Sequence, residues 1–272
     1  MGEYVRYVSG SSIVAAQYLI EGKCDVAVHW DGGRHHARRR KAAGFCYVAD
    51  ITLAILQLRR QFSRVLYIDL DVHHGDGVEA AFQLTDRVLT LSFHRYTPGF
   101  YPGTGGYLFD KGKRGVINVP LEAGLRGGSM MPFFKRITDA VKENYKPDAV
   151  VVQCGADGLY GDRIAEWNLS IASFANCVQH IVDWGKPTLL LGGGGYNHAN
   201  VARCYAYTLS LILGRKIDEE LPDHPYLHLY APDYRLSVTE EGNTSDRNDP
   251  CTLAHTESII RQIIEADHLT KH

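Results

Sequence analysis

Asp71 and His73 are the residues of this 272-residue sequence whose types and spacing most directly indicate chemistry. They lie two positions apart on a segment predicted to be extended, so their side chains point the same way. A carboxylate and an imidazole placed like this suit a divalent transition-metal ion, and Asp157 can complete a three-ligand site that leaves a position for water. Zinc fits this set. Two carboxylates give this site a chemically harder ligand set, richer in oxygen donors, than most zinc sites have. Fe²⁺, Co²⁺ and Mn²⁺ are therefore alternatives.

Two adjacent histidines, His35 and His36, suit general acid–base catalysis. A metal lowers the pKa of its water to about 7, but a base must still accept the proton and an acid must protonate the leaving amine. Asp69 and Asp76 can orient the two imidazoles through their ring N–H groups. An isolated Asp-x-His could also be a buried hydrogen-bonded pair without metal, but these accompanying groups favour the metal site.

Four consecutive glycines, the first at Gly192, precede Tyr196. A phosphate-binding loop is a weak interpretation, because no Lys-Ser/Thr follows and no G-x-G-x-x-G opens a helix. Close approach of the backbone to a narrow channel is favoured, with the Tyr196 phenol donating a hydrogen bond to an oxyanion.

The elements that must position these residues alternate between short apolar runs and segments of helical period, a pattern typical of a parallel sheet wrapped by helices. The predicted strands are 25–30, 65–68, 87–93, 116–119, 149–154 and 188–191. The predicted helices are 51–62, with Asp50 as its cap, 78–84, 133–141, 171–184, 200–213 and 258–266. Ligands of such sheets bind beyond the carboxyl ends of the strands, where the residues above lie. One domain over 1–272, with a polar tail from about 240, is expected.

Composition narrows the class of protein. A hydrophobic content of 45% supports one sizeable core and argues against a disordered or fibrous chain. A net charge of −2 argues against a global polyanion-binding field, so sequence-specific nucleic acid is not an expected partner. No stretch approaches 18 apolar residues, so no membrane partner is expected. Six cysteines without a CxxC pair indicate reduced thiols in a cytosolic or nuclear protein.

Eight segments together resemble the zinc-dependent histone deacetylases, most closely class I, and the resemblance runs from about residue 11 to 238. The segments are 32–37, 44–47, 69–77, 98–105, 155–157, 192–196, 200–204 and 222–224. The resemblance implies a three-layer arginase–deacetylase α/β fold with a mainly parallel sheet flanked by helices. It also implies hydrolysis of acetyl-lysine amides on histones or other proteins, with a role in transcriptional repression and chromatin regulation. The resemblance further implies acetylated proteins and a corepressor complex as partners. It implies a location in the nucleus and also in the cytoplasm.

Carried over residue by residue, the resemblance implies a zinc ion with the ligands Asp71, His73 and Asp157. The implied acid–base and carbonyl-polarising residues are His36, His35, Asp76, Asp69 and Tyr196. The implied channel residues are Phe45, Tyr101, Gly44, Gly194 and Ile164. An inner K⁺ site would use Asp69, Asp71, His73, Ser92 and the Phe93 carbonyl, and an outer site Phe82, Thr85 and Val88.

Several positions depart from the family pattern. Tyr101 stands where phenylalanine is usual, which predicts an altered acyl-chain preference. The run 38–41, Arg-Arg-Arg-Lys, replaces a more mixed stretch, and a solvated loop is favoured there over attraction to chromatin or acidic partners. Arg163 matches a position used for inositol phosphate at the corepressor interface, but Ala199 replaces its companion arginine.

The family also has a sizeable segment before the helix resembling 11–22. We therefore expect an N-terminally incomplete domain with sheet and pocket surfaces uncovered. Three alternatives stay open: a truncated inactive or scaffolding isoform, an acetylpolyamine amidohydrolase, and an arginase-like two-metal hydrolase. Gly75 disfavours the two-metal hydrolase. That site needs further bridging carboxylates, and Gly75 stands where the next metal-facing residue after Asp71 and His73 would lie.

Overall fold

The computed structural model describes residues 1–106, 115–238 and 245–248. Six strands form one sheet: β1 (Val26–His29), β2 (Val65–Asp69), β3 (Val88–Arg95), β4 (Val116–Leu121), β5 (Ala149–Gln153) and β6 (Thr188–Leu191). Their order is β1-β6-β5-β2-β3-β4 and every pairing is parallel. The predicted α/β class is confirmed, and the described sheet is wholly rather than mainly parallel. The predicted helix 258–266 lies outside the described residues.

Six α-helices accompany the sheet: α1 (Gly2–Ile20), α2 (Asp50–Leu58), α3 (Asp76–Phe82), α4 (Gly127–Tyr145), α5 (Ile171–Val182) and α6 (His198–Ile212). A short 3₁₀ helix spans Leu227–Tyr230. None of the described helices is both long enough and apolar enough to cross a membrane. Helix α4 extends beyond the predicted range 133–141 at both ends. The prediction is too short because polar residues and Pro132 interrupt the apolar pattern of this segment.

Two apolar cores cover the two faces of the sheet. Successive side chains of a strand point to opposite faces, so Leu66 and Ile68 of β2 join one core, and Val65 and Tyr67 join the other. The first core includes buried residues of α4, α5 and α6, and the second includes those of α1, α2 and α3. All five residues of β2 and all five of β5 are buried, which explains their continuous apolar runs.

The strand order brings the site residues to one edge of the sheet. Asp69, at the end of β2, is in register with Ser92 of β3 on one side and Gln153 of β5 on the other. The chain leaves β2 toward β3, whereas β5 lies on the opposite side of β2. Open α/β sheets form their ligand-binding crevices at such a switch in strand order.

The free edge of β1 borders a groove with a volume of about 520 Å³. Residues of α1 and β1 line it, among them Tyr7, Val14, Tyr18 and Val28. In the described sheet β1 pairs with β6 alone, so its other side has no strand partner there.

The prediction that Asp50 caps α2 is wrong. Asp50 is the first residue of α2, the N-cap is Ala49, and that cap makes no side-chain hydrogen bond. The fully buried Asp50 carboxylate instead accepts hydrogen bonds from the backbone N–H groups of Gly33 and Arg34, both at 2.9 Å, and from the Ser12 hydroxyl at 2.7 Å. Asp50 therefore fixes the loop that leads from β1 to the histidine pair.

Replacing Asp50 by alanine is expected to lower the free energy of unfolding by about 2–3 kcal/mol, because a buried and a partly buried backbone N–H group lose their acceptor. Urea denaturation followed by circular dichroism measures the change. Asp31→Ala, at an exposed position of the same loop, is the control and should shift stability by no more than about 0.5 kcal/mol. Equal shifts in the two variants would contradict a structural role for Asp50.

Candidate metal centre and active site

Three buried residues at two neighbouring strand ends form a cluster with metal-ligand geometry. Asp71 and His73 follow β2, Asp157 follows β5, and their ligand atoms all lie within 4.8 Å of one another. Nδ1 of His73 lies 3.0 Å from Oδ1 of Asp71 and 3.1 Å from Oδ2 of Asp157. The structure thus brings together the three residues that the sequence analysis singled out as ligands.

The electrostatics of this cluster favour a divalent cation. Burial and the neighbouring Asp71 raise the pKa of Asp157, whereas His35 and His73 outweigh burial and lower the pKa of Asp71. Burial alone would lower the pKa of His73, but its hydrogen bonds to Asp157 and Asp71 raise it to about 10. A proton on His73 therefore balances two converging carboxylates. A divalent ion bound by the same three groups would take over that role.

The ligand carboxylates are held by uncharged donors. Oδ2 of Asp71 accepts hydrogen bonds from Gln153 Nε2 at 3.0 Å and from the Gly194 N–H at 2.9 Å. Oδ1 of Asp157 accepts one from the Val72 N–H at 2.9 Å. A Cβ on Gly194 would clash with the Asp157 carboxylate. Close backbone approach, the interpretation favoured from the sequence, is what this glycine provides.

Each histidine of the pair has its own carboxylate. Nδ1 of His35 lies 2.9 Å from Oδ2 of Asp69, and Nδ1 of His36 lies 2.7 Å from Oδ1 of Asp76. Because a carboxylate only accepts, Nδ1 carries the shared proton and Nε2 of His36 is the nitrogen available for proton transfer. The Gly77 N–H at the start of α3 donates to the His35 carbonyl at 3.0 Å, which ties the pair to the sheet end.

The two imidazoles have opposite pKa shifts. Burial alone would lower the pKa of His35, but Asp69 and Asp71 outweigh it and raise that pKa to about 9. Burial lowers the pKa of His36, and the charge of His35 lowers it further against the opposing effect of Asp76. At neutral pH His35 is therefore charged, and His36 is neutral and able to accept a proton.

A cavity of about 640 Å³ leads to the cluster. Its walls include the five residues that the resemblance implied for a channel: Phe45, Tyr101, Gly44, Gly194 and Ile164. The Tyr101 ring meets the His36 ring edge-on at a centroid distance of 4.9 Å, and the Phe45 ring lies 6.2 Å from that of Tyr196. His36, His73 and Tyr196 also line this cavity, so acid–base, ligand and phenol groups face one space.

Asp162 is a site residue that sequence reasoning missed. Its buried carboxylate accepts hydrogen bonds from the backbone N–H groups of Tyr196 at 2.7 Å, Asn197 at 3.1 Å and Ile164 at 2.9 Å. Asp162 thereby fixes both the loop that carries Tyr196, which we call the tyrosine loop, and the backbone of the channel residue Ile164. The bond to Ile164, two residues on, is an Asx-turn contact that the sequence could have indicated.

A buried polar network behind the channel wall was also missed. His74 bridges Glu79 (Nε2 to Oε2, 2.9 Å) and Thr104 (Nδ1 to Oγ1, 2.8 Å). His94 Nε2 donates to the Gly105 carbonyl at 2.8 Å. These contacts hold the loop that carries Tyr101 and Phe100, whose ring stacks on His73 at 5.2 Å. No local signal marks the network, because its members come from three separate segments.

The residues implied for monovalent cations gather in two places. Asp69 and Ser92 are register partners at the ends of β2 and β3, next to the ligand loop. The second place is beside Gly115, where the backbone carbonyls of Thr85 and Val88 converge. A Cβ added to Gly115 would lie 2.8 Å from the Thr85 oxygen and 2.6 Å from the Val88 oxygen. Phe82 ends α3 just before them, and the Thr85 N–H donates to its carbonyl.

Comparison with known proteins accounts for this arrangement. The histone deacetylase domain matches residues 1–212. Histone deacetylase 8 of Danio rerio is 45% identical over 264 residues, covering 96% of this chain and 69% of that protein. Histone deacetylase 8 of Xenopus laevis is 44% identical over 250 residues, covering 91% and 77%. Histone deacetylase 3 of Oryza sativa subsp. japonica is 47% identical over 271 residues, covering 98% and 52%.

These matches and the parallel sheet with helices on both faces agree with the arginase–deacetylase fold implied by the sequence. A domain match over most of the chain and identities near 45% leave no ambiguity about descent: the chain belongs to the histone deacetylase family.

Proposed function

We propose that this chain is a zinc-dependent protein-lysine deacetylase that hydrolyses acetyl-lysine amides to lysine and acetate. The observation that carries the proposal is the convergence of the metal-ligand cluster, His36 and Tyr196 on one cavity. An amide hydrolase needs these three functions together: electrophilic activation, proton transfer and stabilisation of the oxyanion.

The channel selects a long, apolar side chain that carries a neutral end group. Phe45, Tyr101 and Ile164 present apolar surface to the methylene groups of an acyl-lysine. Phe45 and Tyr101 are exposed, whereas the polar lining residues His36, Asp71 and His73 are buried. Asp71, His73 and Asp157 would hold zinc, which supplies Lewis acidity toward the acetyl oxygen and the attacking water.

His36 carries the proton. Its lowered pKa keeps Nε2 unprotonated at neutral pH, so it can accept the proton of the attacking water and later donate it to the leaving lysine amine. Asp76 stabilises the imidazolium that forms between these steps. Burial tends to raise the pKa of Asp76, but the hydrogen bonds from His36 and Arg38 lower it, so this carboxylate stays ionised.

Tyr196 stabilises the charge that develops on the acetyl oxygen. Burial, together with Asp71 and Asp157, raises the pKa of its phenol, which therefore stays protonated and donates a hydrogen bond. The Asp162 contact to its backbone N–H fixes the backbone from which the phenol extends, which limits the reorganisation required when charge appears.

The wider proposal follows the family. Acetylated histone tails or other acetyl-lysine proteins are the proposed substrates, and K⁺ would occupy the two implied monovalent-cation sites. The enzyme would act in the nucleus, and also in the cytoplasm, within corepressor complexes that repress transcription. A two-metal arginase-like reaction is disfavoured, because the described residues contain one metal-ligand group.

The variants His36→Ala and Tyr196→Phe are expected to lower kcat on an acetyl-lysine peptide by about 10²–10⁴-fold and 10²–10³-fold, respectively, with little change in KM. A fluorogenic acetyl-lysine assay with added zinc measures both. His228→Ala and Tyr7→Phe alter the same residue types at exposed positions and should retain full activity. Unchanged activity in the two site variants would refute the proposed roles.

Zinc is expected to raise the melting temperature of the wild-type chain. An ion that binds only the folded state, present at a concentration 100 times its Kd, adds about 2.7 kcal/mol to the free energy of unfolding. Asp157→Asn should lose this response. Gln153→Ala, which frees the Asp71 carboxylate, should weaken zinc binding by about 10–100-fold. Asp233→Asn, at an exposed carboxylate, is the control. Elemental analysis should find one zinc per chain, and two would contradict the single-metal site.

Tyr101→Phe is expected to raise the ratio of butyryl-lysine to acetyl-lysine kcat/KM by about three- to tenfold, because the wall loses a hydroxyl that disfavours a longer apolar chain. A competition assay with the two acyl peptides measures the ratio. Tyr47→Phe, at an exposed position, is the matched control. An unchanged ratio in Tyr101→Phe would show that the hydroxyl does not set acyl preference.

A further inference from the structure

A short basic turn lies beside the active-site loop. Arg38 and Lys41 pair as an antiparallel bridge, in which the Arg38 N–H donates to the Lys41 carbonyl at 2.9 Å. Arg39 and Arg40 form the two-residue tip between them, and all four side chains are exposed. We call residues 38–41 the basic hairpin. The proposed reaction assigns no role to its tip.

The basic hairpin is anchored to the catalytic groups on both sides. Arg38 follows His36 by two residues, and its guanidinium donates to Oδ2 of Asp76 at 2.7 Å, the carboxylate that also binds His36. After the hairpin, Ala43 pairs with Cys46 in the turn that carries the channel residues Gly44 and Phe45. The hairpin is therefore held next to residues that line the channel, His36 on one side and Gly44 on the other.

Three of the four charged side chains of the basic hairpin have no ion-pair partner among the described residues. Arg38 makes an ion pair with Asp76, but Arg39, Arg40 and Lys41 make none with any residue in the described ranges. The chain as a whole carries a net charge of −2. Three uncompensated positive charges on one turn thus contrast with the remainder of the protein and act on whatever approaches the channel.

The tip lies within reach of the residues that flank a bound lysine. Successive Cα atoms are about 3.8 Å apart, so Cα of Arg40 is at most about 15 Å from Cα of His36 and of Gly44. An extended peptide advances about 3.3 Å per residue. A side chain within about four positions of the acyl-lysine can therefore meet the guanidinium groups of Arg39 and Arg40.

We propose that the basic hairpin selects substrates by the charge around the acetyl-lysine, favouring acidic flanking residues and disfavouring lysine and arginine. This rests on the proposed deacetylase function and names the substrate class of that same site. The positive charges of the hairpin attract acidic flanking residues and repel basic ones, and both effects contribute to specificity. Acetyl-lysines in acidic protein segments are on this basis better substrates than those in strongly basic tails.

The size of the hairpin favours a peptide partner over nucleic acid. Proteins that bind duplex nucleic acid through its backbone neutralise several phosphates along a basic face. Here the uncompensated charge is confined to one four-residue turn, and the chain as a whole is slightly acidic. A few carboxylates beside the lysine match that footprint.

The test uses the full chain with zinc and three peptides of equal length, in which acetyl-lysine is flanked by aspartate, by serine or by lysine. KM comes from acetate release, and Kd comes from fluorescence anisotropy of the labelled peptides. At 0.1 M salt we expect KM and Kd to be about fivefold lower for the aspartate peptide than for the serine peptide, and about fivefold higher for the lysine peptide. At 1 M salt the three should agree within about twofold, because the Debye length falls from about 10 Å to about 3 Å.

The double variant Arg39→Gln with Arg40→Gln should reduce these ratios to within about twofold and leave kcat on the serine peptide unchanged. Arg38 is kept, because it contacts Asp76. The matched control is Arg215→Gln with Lys216→Gln, which removes the same charge just beyond the far end of α6, a helix of 15 residues that extends about 22 Å from the tyrosine loop. This control should keep the wild-type ratios.

Three results overturn the proposal. The first is equal KM and Kd for the three peptides with the wild-type chain, and the second is a charge preference that persists in the tip variant. The third is tip-dependent binding of a duplex oligonucleotide without any peptide preference, which would make nucleic acid the partner. Failure to hydrolyse the serine peptide would instead contradict the proposed deacetylase function, and the anisotropy ratios would still decide the role of the hairpin.

Discussion

The convergence of two buried carboxylates on one imidazole is the constraint on which the rest of the site depends. Asp71 and Asp157 are almost fully buried, and burying like charges together is costly unless they are neutralised and hydrogen-bonded. His73 supplies the neutralising group, and Gln153 and backbone N–H groups satisfy the remaining oxygen atoms. The adjacency of β2 and β5 makes the convergence unavoidable, because both carboxylates follow neighbouring parallel strands.

This concentrated negative charge also sets the protonation state of the two adjacent histidines. Asp69 and Asp71 hold His35 charged, and that charge helps to keep the buried His36 neutral. Two adjacent imidazoles of the same type thus take different protonation states because their carboxylate neighbours differ. That difference supports the proposed roles of His35 as an electrostatic partner and of His36 as the proton carrier.

The loops around the site are held from a distance by buried polar side chains. Asp50 on α2 binds the backbone before the histidine pair, and Asp162 binds the backbone of Tyr196. His74 and His94 bind the loop that carries Tyr101. Catalytic groups on loops lose efficiency when displaced by about 1 Å, so these contacts would serve the geometry of the proposed reaction as well as stability. The basic hairpin adds charge beside these loops.

The sequence by itself determined the α/β class, the strand segments and the group Asp71, His73 and Asp157, because apolar runs and polar strand ends are local patterns. Tertiary structure alone decided that Asp50 binds a loop rather than caps a helix, that Asp162 binds the backbone of Tyr196, and that His74 and His94 support the channel. Those contacts join mostly distant segments, and only packing specifies them. A carboxylate looks the same in sequence whether its donors are its own helix or a loop 16 residues away.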